Sequence, residues 1–151
     1  MYIIAAVAGY IIGTIAKLIV SYTKDKKESK KRGFRRTLLE TGGMPSGHSA
    51  TVTALTTYIL LADGIWSASF GISATFAIIV MIDAINVRRA TGENGTAIQK
   101  ILSKSQHNNI DIPHFAKGHK PLEMLIGATI GVIIGVIVFF LAHLCSINFT
   151  T

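Results

Sequence analysis

The sequence predicts an all-α integral membrane bundle of about four transmembrane helices with two cytoplasmic loops. Two observations carry this reading. Half of the 151 residues are hydrophobic, with a mean hydropathy of +0.48, and they come in long blocks instead of at amphipathic spacing. The basic residues are segregated as well: eight Lys and Arg lie between positions 24 and 36 and six between 88 and 120, leaving Lys17 as the one cation inside an apolar block.

The blocks cover residues 1–22, 48–62, 65–85 and 122–147 of one membrane domain spanning 1–151. The first, third and fourth are long enough to cross a hydrocarbon core of ~30 Å. The second is shorter and rich in threonine, so it is expected to tilt, to thin the bilayer locally, or to enter only partway. Asp63-Gly64 makes a tight connection to the third. Residues 23–47 and 86–121 form the two loops. The positive-inside rule puts both in the cytoplasm and both termini outside. No basic residue precedes the first block and no small-residue cleavage site follows it, so that span is expected to persist.

The net charge of +7 is therefore chiefly topological, and anionic lipid headgroups are the expected partner. Nucleic acid is not expected, because aromatic residues are scarce in the loops and each basic cluster abuts a span. A short amphipathic helix at Ala97–Lys104 could lie on the membrane surface. Gly9 and Gly13, and Gly127, Gly131 and Gly135, recur every four residues along helix faces. Such faces pack closely, either within a subunit or across a homo-oligomer, and both uses stay open. Cys145 is the single cysteine, so neither an intrachain disulfide nor a Cys-based metal site can form.

Chemistry is concentrated at the loop ends of the spans. The run Gly42-Gly43-Met44-Pro45-Ser46-Gly47-His48 joins a glycine-rich turn to a helix start, where N–H groups around Ser46 and Gly47 suit a phosphate. The topology gathers Lys17, His48, Asp83, Arg88, Arg89, His119 and Glu123 on that side. Two histidines, several cations and two carboxylates suit phosphoryl transfer. His107 and His114 are weaker candidates in the second loop, and His143 is expected on the opposite side. A metal site can be drawn from His48, Asp83, His119 and Glu123, but no local ligand spacing supports one, so no metal and no cofactor are expected.

Pro45-Ser46-Gly47-His48 resembles the second signature motif of the type-2 phosphatidic acid phosphatase superfamily, which includes bacterial acid phosphatases and vanadium haloperoxidases. With the strings Asp83-Ala84-Ile85-Asn86-Val87-Arg88-Arg89 and Gly118-His119-Lys120-Pro121-Leu122-Glu123, the chain resembles the small divergent branch of that superfamily over most of its length. The resemblance implies metal-free hydrolysis of a lipid phosphomonoester or diphosphate, such as a phosphatidylglycerophosphate- or phosphatidate-like lipid. It makes His119 the nucleophile that forms a phosphohistidine and His48 the general acid and later base. Arg88 or Arg89 would bind phosphate and Glu123 would orient His119. The first motif is absent: Lys24, without a following proline, stands seven residues after Lys17, which is the candidate phosphate lysine. About thirty residues separate Arg88 from His119. Two bland readings stand beside these: Pro121 and Glu123 suit the first turn of a helix, with Glu123 as its cap, and Asp83 suits an ion pair to a nearby arginine in a supporting role. The alternative to an enzyme is a non-catalytic lipid-binding or helix-packing subunit that keeps a phosphate pocket.

Overall fold

The computed structural model describes residues 1–24, 43–104 and 120–148. They form five helices: α1 (Tyr2–Lys24), α2 (Gly47–Asp63), α3 (Ala68–Ile85), α4 (Val87–Lys104) and α5 (Pro121–Asn148). There is no strand among the described residues. Three helical stretches are long and apolar enough to cross a membrane: Tyr2–Thr23, the run Ala68–Leu102 through α3 and α4, and Pro121–Cys145. Their outward faces are studded with exposed large side chains such as Ile3, Ile72 and Phe140, which acyl chains cover in a bilayer.

The short second block is the hub. With 17 residues α2 is about 26 Å long, less than the ~30 Å of hydrocarbon, and it packs against α1, α3 and α5. Its buried positions include Ser49, Ala50, Ala54, Tyr58 and Ile59. The threonines that lower its hydropathy are accommodated by bonding to backbone oxygens. Thr51 and Thr53 donate to the carbonyls of Gly47 and Ser49 at 2.8 and 2.6 Å. Thr53 also reaches Ala128 O of α5 at 3.1 Å, and Thr56 reaches Ser73 O of α3 at 3.2 Å. A hydroxyl satisfied in this way costs little in an apolar environment and ties helices together.

Both glycine faces are spent on this helix. A Cβ on Gly9 would stand 2.7 Å from Ala50 O and 2.8 Å from the Cβ of Ala54. On the other side, a Cβ on Gly131 would collide with Ala50 O and Thr53 Oγ1, and one on Gly135 would stand 2.6 Å from Ala54 O. Ala50 and Ala54 are thus wedged, fully buried, between two glycine ridges. Of the two uses left open by the sequence, close packing within the chain is the one these residues make.

Chain direction follows from the two ends. At one, Tyr2 Oη donates to Asp63 Oδ1 at 2.6 Å, and Ser69 Oγ donates to Asp63 Oδ2 at 2.5 Å. Tyr2 also meets Tyr58 edge-on, Tyr58 meets Phe139, and Phe139 stacks with His143. Gly64, at φ 86°, closes α2, and Ser67 caps α3 by accepting from the Phe70 amide at 3.1 Å. That cap starts α3 at Ala68, three residues after the expected start of the third block. Toward the opposite end, the starts of α2 and α5 meet each other, and the start of α2, with the turn before it, lies against Gly13, Thr14 and Lys17 of α1.

One boundary needs correction. Residues 86–121 were expected as a loop with a short helix at Ala97–Lys104, yet the chain is helical from Val87. The Asn86 amide bonds Ile82 O at 2.9 Å and the Ala90 amide bonds Asn86 O at 2.9 Å, so the hydrogen-bond ladder of α3 runs on into α4. A helix extended from an existing one needs no new nucleus, which offsets the cost of Gly92 and Gly95.

Candidate functional site

The Gly43–His48 segment is built into the bundle, not draped over it. Gly43 adopts φ 92°, a conformation that favours glycine, and the Met44-Pro45 peptide is cis. Pro45 and Ser46 are fully buried. Ser46 is the N-cap of α2: its Oγ accepts from the Ser49 amide at 3.4 Å and from the Ser49 hydroxyl at 3.0 Å.

The Ser46 amide donates to the carbonyl of Glu123 at 3.0 Å, which joins the first turns of α2 and α5. Gly127 permits this approach, since a Cβ there would run into Ser46 O and stand 3.0 Å from Ser46 N. The first turn of α5 has its own cap. Pro121 begins the helix, and the Lys120 amide donates to Glu123 Oε2 at 3.2 Å. This is the N3 carboxylate arrangement that the Pro121/Glu123 spacing suits.

Around this junction the predicted site residues distribute as follows. Lys17, half-buried on α1, brings its Cε to 3.5 Å from the Cβ position of Gly43, beside the glycine turn. Gly47 opens α2, with Thr14 Oγ1 at 3.7 Å from its Cβ position. His48 is the second residue of α2 and is exposed at the helix end. Asp83 lies half-buried in the last turn of α3, and Arg88 and Arg89 lie in the first turn of α4. His119, covalently next to Lys120, lies outside the described residues, as do His107, His114 and most of the first basic loop. His143 is at the opposite end, against Phe139. The structure therefore brings together Lys17, the Gly43–His48 turn and Glu123. Among the described residues, no group of three or more His, Cys, Asp or Glu is placed to hold a metal ion.

The sequence reading assigns neither Ser49 nor Gly127 a part in the site. Ser49 is fully buried and completes the Ser46 cap; its signal was the Ser46-x-x-Ser49 spacing. Gly127 was noticed as part of a small face, but nothing in the sequence says that it faces Ser46.

The arrangement is two helix N-termini drawn together, with a cation beside the turn that leads into one of them. Comparison with known proteins defines the class. Residues 1–134 match the Divergent PAP2 family, and the chain belongs to it. It is similar to the uncharacterized membrane protein YuiD of Bacillus subtilis (strain 168), with 31% identity over 152 aligned residues that cover 91% of this chain and 93% of that one. No solved structure matches the chain.

Proposed function

We propose that the chain hydrolyses a phosphomonoester or diphosphate of a membrane lipid through a phosphohistidine on His119. The observation that carries this reading is the Ser46–Glu123 backbone hydrogen bond, because it fixes the helix start bearing His48 against the helix start that directly follows His119. Each helix start adds oriented N–H dipoles to the positive field of Lys17, which suits a phosphoryl group gaining negative charge on its oxygens.

In this scheme a ring nitrogen of His119 attacks phosphorus, and the bond from phosphorus to the lipid oxygen breaks. Protonated His48 gives that oxygen its proton. Neutral His48 then takes a proton from water as the water attacks the phosphohistidine, which releases inorganic phosphate and restores both rings. Lys17 and Arg88 or Arg89 balance the phosphate charge, and Asp83 partners a nearby arginine. Glu123 orients His119 in addition to capping α5. The concentration of basic residues in the two connections at this end supports a cytoplasmic placement, with both termini outside. Lipid phosphates made on that face, phosphatidylglycerophosphate- or phosphatidate-like, suit such a site.

The test is phosphate release from a panel of lipid phosphates by purified protein in proteoliposomes, with His119→Ala and His48→Ala alongside. Turnover that His119→Ala abolishes supports the reading. A wild-type protein that binds these lipids yet releases no phosphate from any of them would instead establish the non-catalytic subunit.

A further inference from the structure

The α4 helix has no role in the chemistry above beyond its first turn. At 100° per residue, Val87, Ala90, Ala97, Ile98 and Ile101 fall on one side of it. Four cations, Arg88, Arg89, Lys100 and Lys104, fall on the other with the single carboxylate Glu93. Among the described residues α4 packs only against α3, and Val87, Ile98 and Ile101 are 58, 45 and 68% exposed. The helical run Ala68–Leu102 has 35 residues, about 52 Å if straight, far more than ~30 Å of hydrocarbon. Since α3 alone uses up most of that thickness, α4 begins where the hydrocarbon ends. The backbone departs there from ideal helix at Asn86, with φ −94° and ψ −63°.

We infer that α4 is an interfacial helix that seats its Val87/Ile98/Ile101 face at the acyl–headgroup boundary and binds anionic lipid headgroups through its basic face. Three features select this occupant. The helix is continuous with a membrane-spanning one, so the bilayer surface is next to it. Its four cations against one carboxylate complement an anionic leaflet. Its apolar arc is modest in area and includes Asn94, which favours shallow insertion assisted by charge over deep burial. The inference shares Arg88 and Arg89 with the proposed phosphate site, but its test reads positions 96, 98 and 101, which take no part in that chemistry, so its failure and that of the phosphatase reading are distinguishable.

The experiment places an environment-sensitive fluorophore on single cysteines in a Cys145→Ala background, at Ile101 or Ile98 on the apolar side and at Thr96 on the polar side. The full-length protein is reconstituted in vesicles containing brominated lipid. In phosphatidylglycerol/phosphatidylcholine vesicles the probe at 101 should be quenched at least about threefold more than the probe at 96. That contrast should shrink in phosphatidylcholine alone and in about 0.5 M salt, where surface charge is screened. The Ile98→Cys protein supplies the same reading should Ile101→Cys fail to fold. Equal quenching on the two sides overturns the inference. So does a probe at 101 that is shielded from water but untouched by brominated lipid, because a second protein copy would then cover the face. A contrast indifferent to lipid charge and salt overturns the headgroup specificity.

Discussion

The amide of Ser46 donates to the main-chain carbonyl of Glu123 at 3.0 Å, across 77 residues of sequence, and Gly127 leaves the room for it. A backbone-to-backbone bond of this kind does not depend on side-chain identity. It depends on how closely two helices approach, and the glycines set that distance.

Replacing Gly127 with alanine should accordingly cost stability at the site end. The new methyl would meet the Ser46 backbone, which cannot swing away as a flexible side chain can, so a loss of about 1 to 3 kcal/mol is expected. Gly71 is the matched control: a Cβ there meets nothing within 4 Å, and Gly71→Ala should be neutral or stabilising by up to about 1 kcal/mol. Thermal unfolding of the two variants in detergent, followed by size-exclusion, measures the contrast. Equal effects would mean that the α2–α5 approach is not held by Gly127.

Much of the bundle was legible because its signals are local. Apolar block length gave α1, α3 and α5, and the Pro121/Glu123 spacing announced the cap on α5. Three things were not legible, for physical reasons. The short, threonine-rich second block reads as a span, but hydropathy cannot register that it is the hub, with Thr51 and Thr53 bonded back to their own helix and three helices packed around it. Helix α4 reads as loop at Gly92, Asn94 and Gly95, because residue propensity ignores a helix inherited from α3 through Asn86. Nor could spacing along the chain reveal that Lys17 reaches the Gly43 turn, a contact made by tertiary packing of α1 on α2.

Orientation is testable by labelling. In a Cys145→Ala background, a cysteine at Lys30 or Lys104 should resist an impermeant thiol reagent in intact cells, and one at Asn148 should react. The expectation follows from the segregation of basic residues into the two connections at one end of the bundle. Reaction at Lys30 from outside would move the candidate site to the external face.

The chemistry should be independent of divalent metal. In the proposed scheme two histidines and basic side chains supply the nucleophile, the acid and the positive field, so phosphate release should survive exhaustive chelation. Vanadate should inhibit, because its five-coordinate form resembles phosphorus under attack. Activity lost on chelation and restored by a divalent ion would recast His48, His119 and Glu123 as ligands.

Glu123 allows its observed cap and its proposed orienting role to be separated. Its Oε2 accepts from the Lys120 amide at 3.2 Å, a bond that a glutamine carbonyl can also accept, whereas alanine cannot. Glu123→Gln should therefore keep the cap and most of the stability, and Glu123→Ala should lose about 0.5 to 2 kcal/mol. An orienting carboxylate also favours the positively charged ring that His119 approaches during attack, and a neutral amide cannot. If Glu123 acts on His119, Glu123→Gln should lower kcat by at least about tenfold with little change in melting temperature or in KM. If it serves only α5, the glutamine variant should retain wild-type kcat, and the alanine variant should lose activity only as far as it loses folded protein. Melting curves and initial rates measured on the same three preparations decide between them.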